Sequence, residues 1–510
     1  MLSSKPIWKV IGASSAGTLI EWYDFYIFGS LATVIAQQFF PKTNPTAALL
    51  STLATFAAGF LVRPFGALVF GRLGDLIGRK YTFLLTLIIM GSSTFAIGLV
   101  PGYEKIGFAA PIIVLLVRLL QGLALGGEYG GAATYVAEFA PPNKRGFYTS
   151  WIQTTATLGL FFSLGVILLT RHLLDPDINK SIEKFNAWGW RIPFLVSIVL
   201  VIISIYIRLK MQESPMFTRI KLEGKVSVNP LKESFGHKIN LKMVLLALFG
   251  ATMGQGVIWY TGQFYAQNFI ETVCKIEFDQ SRTILIWAIL FATPFFVVFG
   301  GWSDRIGRKW IMLGGMLLAI VCYRPIYKKF LDWSNMELAQ KTSLASEGNA
   351  VIKKDMIGDD SVFTSTTLKT LIDGSSFKEI RSDTMSMSQG LSAMRSKTIY
   401  TEKKLAGLLY WKFVFLVFIQ IIFVTMVYGP IAAFLVELFP TRIRYTSMSL
   451  PYHIGNGVFG GLTPFIAVLL TTIYTSNKLV GLMYPIIVSS VCFVIGVLYI
   501  TNKIDPDVND

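Results

Sequence analysis

The chain has 510 residues, 53% of them hydrophobic and only 15% charged, with 39 Phe and a net charge of +16. The charged share is far below the roughly 25% of an average soluble domain, and a mean hydropathy of +0.56 makes lipid the expected main solvent. That balance excludes disorder and collagen and argues against a soluble enzyme. The excess positive charge sits in short loops between apolar runs, so it reads as membrane topology and not as a nucleic-acid surface.

A membrane helix needs about 20 apolar residues. Twelve such runs fall at 9–38, 47–71, 81–101, 109–138, 147–172, 189–209, 242–270, 282–302, 310–327, 408–436, 445–473 and 478–502. The N-terminal tail, Met1 to Trp8, leads into a first run that reads as a retained span. Cys274, Cys322 and Cys492 are widely separated and form no metal-ligand pattern, so no metal is expected. Loops on the side of the N-terminus carry more than twice the Lys and Arg of the other side. This predicts an even number of spans with both termini in the cytoplasm.

The expected fold is all-α: twelve transmembrane helices in two pseudo-symmetric six-helix halves. The first half covers 1–209. Residues 210–241 read as a cytoplasmic linker, and 242–327 with 408–502 form the second half. Residues 503–510 read as a cytoplasmic tail. The stretch 328–407, rich in Ser and Thr, falls on the extracytoplasmic side by parity and reads as a tolerated, partly disordered loop insertion, with a small substrate-capturing lid as the alternative.

An internal repeat supports the two halves. Phe70-Gly71-Arg72-Leu73-Gly74-Asp75-Leu76-Ile77-Gly78-Arg79-Lys80 returns as Phe299-Gly300-Gly301-Trp302-Ser303-Asp304-Arg305-Ile306-Gly307-Arg308-Lys309. Glu138, Pro141 and Arg145 return as Glu437, Pro440 and Arg444 at a longer offset, which places the gained sequence between 309 and 437. The Asp of each loop can pair with arginines and with the positive N-terminal end of a neighbouring helix. Such contacts close one face of a bundle and break when it opens. The expected conformational gate is therefore Gly71, Asp75, Gly78, Arg79 and Lys80, with Asp304, Gly307, Arg308 and Lys309, and with Glu138, Arg145, Glu437 and Arg444.

Two repeated six-helix halves suit a carrier that rocks around a midplane site. The chain resembles the major facilitator superfamily, whose signature loop matches 71–80 and 300–309, and whose fourth-span signature matches Arg118-Leu119-Leu120-Gln121-Gly122. The fifth span lacks the Gly-Pro pattern of the antiporter branches, which implies symport. More narrowly, the chain resembles the metabolite:proton symporter family through Glu21-Trp22-Tyr23-Asp24-Phe25-Tyr26, Gly59-Phe60-Leu61-Val62-Arg63-Pro64, Arg118 through Glu128-Tyr129-Gly130, and Trp188-Gly189-Trp190-Arg191-Ile192-Pro193-Phe194. That resemblance implies proton-coupled transport of a small polar metabolite, driven by the proton gradient with no bound cofactor. It implies a multi-pass protein of a bacterial-type cytoplasmic membrane that works as a monomer. Two departures from the proline/betaine branch, Thr18 in place of Asn and no C-terminal heptad extension, favour a dicarboxylate- or shikimate-like acid over a zwitterion.

Charges inside membrane spans are costly and point to function. Glu21 and Asp24, spaced i, i+3, share a helix face. Arg63 and Arg118 supply positive charge, and Glu128 lies deeper in the fourth run. A protonatable carboxylate beside an arginine is what a proton-coupled anion carrier needs; the alternative is a structural network in which the acids only neutralise the arginines. The superfamily implies a cavity lined by spans 1, 4, 7 and 10, which adds Tyr23, Gln121, Tyr129, Trp259, Tyr260 and Gln263, with Tyr265, Gln420 and Tyr428. His453 and Asn456 are polar midspan residues that read as hydrogen-bonded packing. The chain has no G-x-x-x-x-G-K-S/T, no H-E-x-x-H and no His/Cys/carboxylate cluster, so neither an ATP-driven pump nor a membrane enzyme is expected; the alternative of a transporter-like sensor would need a signalling domain, for which 328–407 is the one candidate stretch and lies on the wrong side for cytoplasmic signalling.

Overall fold

The computed structural model describes residues 4–77, 79–127, 129–210, 232, 235–336, 343–357, 360–386, 393–439 and 444–501. Among the described residues ten helices are long and apolar enough to cross a membrane. An eleventh span is the pair Ser14–Ser30 and Ala32–Phe39, bent by 63°. The twelfth is the helix Arg79–Leu99, of which Leu84–Leu99 is counted as a shorter apolar helix. The expected twelve spans are all present. The bend in the first span follows Gly29 and Ser30, a pair that commonly kinks helices.

By internal contacts the chain forms two compact units. One comprises Met1–Tyr265, Ile289–Tyr323 and Gln420–Asp510, and the other comprises Ala266–Ala288 and Arg324–Ile419. In the first unit, close helix approach is set by glycine. A Cβ on Gly122 would lie 1.8 Å from the Gly59 carbonyl oxygen, and one on Gly126 would lie 2.1 Å from that of Arg63. The second and fourth spans therefore touch backbone to backbone, as small residues permit in membranes. Gly256 meets the Gly455 carbonyl in the same way, at 2.4 Å, which joins the seventh and eleventh spans.

The second unit differs from its expected character. The ninth span continues to Trp333, beyond the expected end at 327. Residues 344–404, read as part of a loop insertion, fold into a five-stranded antiparallel sheet: β1 Leu344–Glu347, β2 Val351–Ile357, β3 Asp360–Leu371, β4 Ser376–Ser386 and β5 Ala393–Lys404. The order is β1-β3-β4-β5, with β2 also paired to β3. The threonines and aliphatics of β3 suit a pleated surface. Asp373-Gly374 makes the β3–β4 turn: Gly374 has φ 86, and the Asp373 carboxylate accepts from Ser375 N at 2.9 Å, a side-chain turn typical of Asp.

At the end of β5 the sheet is fastened to residues 275–280 of the same unit. Lys403 N donates to Lys275 O and Glu277 N to Lys403 O, both at 2.9 Å. Gln280 exchanges two bonds of 2.7 Å with the Leu405 backbone. Lys403 Nζ donates to Ser334 O at 2.6 Å.

Candidate functional site

The contact of the second and fourth spans brings both Arg63 and Arg118 against the ring of Phe25. Their guanidinium carbons lie 4.3 and 4.1 Å from its ring centre, so they are no farther apart than the sum of those distances. Arg63 is 1% exposed and Arg118 0%. Arg63 also lies over Phe60 at 4.0 Å and near Trp22 at 5.5 Å. Its Nε and Nη2 have no hydrogen-bond partner among the described residues. The positive charge is held against ring faces, whose quadrupoles attract it, while donor N–H groups remain available.

Arg118 is more engaged. It donates to the Phe25 carbonyl oxygen at 3.4 Å and to Gln121 Oε1. Gln121 in turn donates to Asp24 O at 3.0 Å and Thr94 Oγ1 at 2.7 Å. Tyr23 gives its hydroxyl to Pro193 O at 2.9 Å. Of the expected cavity residues, Tyr23 and Gln121 are thus bonded inside the first half. Arg191, at the start of the sixth span, caps the end of the third by donating to Gly98 O and Val100 O at 2.9 and 2.7 Å.

A small cavity opens beside Arg63, lined by Thr18, Glu21, Trp22, Arg63, Leu125, Tyr452 and His453. Residues of both halves meet there. Glu21 and Asp24 are buried, and Glu21 lines the cavity. An aromatic ladder crosses from one half to the other: Trp22 stacks on Tyr26 and Tyr26 on Trp259, each at 5.0 Å. Tyr260 meets Phe60 edge-on at 5.1 Å. Tyr26, Tyr260, Tyr428 and Tyr452 all lie within electrostatic reach of Arg63. Gln263 is fully buried, and both of its amide atoms lack a partner among the described residues. Gln255, Asn456, Tyr452 and Tyr428 form a hydrogen-bonded chain with links of 3.3, 3.2 and 2.7 Å. Sequence reasoning passed over Tyr26, Gln255 and Tyr452. Their polar atoms inside apolar runs were the available signal, but no spacing marks which of them face one another.

The second repeated loop forms a latch. The carboxylate of Asp304 accepts from Gly146 N and Phe147 N at 2.8 and 2.9 Å, at the N-terminal end of the helix Arg145–Leu173. Unsatisfied N–H groups and the helix dipole favour an anion at that position. Arg308 pairs with Asp304 at 2.7 Å and with Glu437 at 2.9 Å, and Ser303 Oγ takes a further bond at 2.8 Å. Gly307, at φ 101, turns the chain sharply between the helices that carry Asp304 and Arg308. The latch therefore ties the fifth span of one half to the eighth, ninth and tenth of the other. Lys309 donates to Val497 O at 2.8 Å, and Arg444 donates to Phe439 O at 3.1 Å. Glu128 and Gly78 lie outside the described residues. So do the side chains of Asp75, Arg79, Lys80, Tyr129 and Glu138; Gly71 is described only as part of the helix Arg63–Ile77.

Twelve spans, a charged site shared by two halves and a latch between them define a multi-pass membrane transporter. Residues 9–225 match the family described as Sugar (and other) transporter. Over 475 residues the chain is 33% identical to the inner membrane metabolite transport protein YhjE of Escherichia coli K12, covering 91% of this chain and 88% of that protein. It is 36% identical over 322 residues to the proline/betaine transporter of Salmonella typhimurium LT2, 61% of this chain and 62% of the relative. It is 34% identical over 320 residues to the alpha-ketoglutarate permease of Escherichia coli K12, 63% of this chain and 71% of the relative. The partially occluded, inward-open structure of the xylose transporter XylE from E. coli covers 98% of this chain and 99% of that one, with a TM-score of 0.61 at 15% identity, a likeness of fold. The chain belongs to the major facilitator superfamily and, within it, to the metabolite:proton symporter family. It is a transporter of small metabolites and not an enzyme.

Proposed function

We propose that the chain is a proton-coupled symporter that carries a small organic acid, dicarboxylate- or shikimate-like, across a bacterial cytoplasmic membrane by alternating access. The observation that carries this reading is Arg63, buried against aromatic rings with donor groups to spare, beside Glu21 in a cavity that both halves line. A carboxylate substrate supplies the acceptors that the guanidinium lacks, and charge-assisted bonds to it are about twice as strong as neutral ones. Glu21 and Asp24 are the coupling acids in this reading, with Glu128 as the third candidate. Protonation of one of them removes a negative charge from the neighbourhood of Arg63, so the incoming anion meets the guanidinium with less repulsion. Both termini face the cytoplasm, the sheet 344–404 stands on the other side, and the monomer is the working unit.

The ladder of Trp22, Tyr26 and Trp259, with Tyr260 beside it, favours a second reading, uptake of a proline- or betaine-like zwitterion, since aromatic faces also attract quaternary ammonium groups. Purified protein in proteoliposomes under an imposed pH gradient separates the two. The panel is α-ketoglutarate, shikimate, proline and glycine betaine. Accumulation of an acid that collapses with a protonophore supports the first reading. Accumulation of glycine betaine or proline alone rejects it.

A further inference from the structure

His453 opens the π-helical stretch His453–Gly460 of the eleventh span. It is 2% exposed, and neither imidazole nitrogen has a hydrogen-bond partner among the described residues. The backbone of Gly126 lies within hydrogen-bonding reach of the imidazole on one side, which leaves the other nitrogen for a ligand. The side chain lines the same cavity as Arg63 and Glu21, from the opposite half. The same stretch runs along Arg63: a Cβ on Gly457 would lie 3.7 Å from Arg63 Cδ. π-Helical turns inside α-helices are frequent at functional sites. A buried polar group without a full set of partners is costly, so a ligand that satisfies it gains by binding there. The neighbouring Tyr452 hydroxyl is already committed to Tyr428 and Asn456.

We propose that His453 is a specificity-determining contact to the transported molecule. Arg63 holds its carboxylate from one half, and the imidazole, which can donate at one nitrogen and accept at the other, holds a second polar group from the other half. The substrate class that fits is a small hydroxy- or oxo-carboxylate. Glycine betaine, with no hydrogen-bonding group beyond its carboxylate, would not engage His453. The inference rests on the organic-acid reading above.

The test measures KM and maximal rate in proteoliposomes for parent, His453→Phe and His453→Gln, with α-ketoglutarate, shikimate, proline and glycine betaine. The Phe variant should raise KM for the transported acid about tenfold, the scale of one lost neutral hydrogen bond, and leave the maximal rate nearly unchanged. The Gln variant, which keeps a donor and an acceptor, should recover most of that affinity. An unchanged KM in the Phe variant overturns the contact, and so does a loss of maximal rate alone, which would make His453 packing between the halves. If the Phe variant does not insert, His453→Leu takes its place in the same comparison. A parent that carries only the zwitterions rejects the organic-acid reading. His453 then keeps its contact role only if its variants raise KM for that zwitterion. A parent that carries none of the four overturns both.

Discussion

Arg63 and Arg308 are both buried arginines, exposed by 1% and 4%, and they are arranged in opposite ways. Arg308 is surrounded by acceptors: its Nε and Nη2 bond Glu437, and its Nη1 bonds Ser303 and pairs with Asp304. Arg63 lies on aromatic rings, with Nε and Nη2 unengaged among the described residues. A buried ion pair resists separation because removing one partner strands the other's charge. A buried guanidinium on ring faces has attraction without saturation. The first arrangement suits a latch that holds one conformation, and the second suits a receptor for an anion that arrives and leaves.

The largest effect is expected at Arg63. Arg63→Gln should cut saturable uptake by about 100-fold or more, since charge-assisted bonds contribute about 1.5–3 kcal/mol each. It should leave thermal stability level or raised, because a buried charge with unsatisfied donors is replaced by a neutral amide. A large fall in melting temperature with uptake preserved would show that Arg63 is a structural cation and dissolve the contrast. Glu437→Gln comes next and should behave oppositely. Breaking a buried pair costs about 3–5 kcal/mol, so the purified protein should melt lower and its maximal rate should change, while KM stays near that of the parent. A KM effect larger than the rate effect would place Glu437 at the ligand and not at the latch.

Glu21→Gln and Asp24→Asn sharpen the comparison at the cavity itself. If one is the coupling acid, its amide should lose uphill accumulation and still exchange substrate in counterflow, because exchange needs binding and rocking without net proton movement. Glu128→Gln belongs in the same set. Full proton-driven accumulation in all three would assign coupling elsewhere. The smallest effect is expected from the sheet. Replacing residues 345–400 by a Gly/Ser linker of matching reach should leave uptake within about threefold, provided Lys403 and Leu405 remain, since they hold residues 275–280. Extending the deletion through Leu405 should cost more than the strands themselves. Equal loss in both deletions would give the sheet a direct part in transport.

Much of this protein is legible in its sequence because lipid is a demanding solvent. Apolar runs of spanning length, the loop charges and the repeated Asp-x-x-Gly-Arg-Lys turn announce twelve spans and two halves. A charge inside an apolar run is costly and therefore conspicuous, which is how Glu21, Asp24, Arg63 and Arg118 came forward. The sheet was missed because its strands are polar on composition. Its threonines and the Asp373-Gly374 turn were the legible signs of β structure.

Tertiary structure alone decided the partners. The repeated motif offers Arg308, Lys309 and Arg444 on equal terms, yet Arg308 reaches both Asp304 and Glu437, while Lys309 and Arg444 donate to the backbone carbonyls of Val497 and Phe439. The same holds at the cavity, where Tyr23 and Gln121 are spent on packing and His453 and Tyr452 stand at its wall. Sequence periodicity records which face of a helix a residue occupies. Which helix that face meets depends on crossing angles and on glycine contacts such as Gly59 with Gly122, and these are properties of two chain segments together, written in neither one.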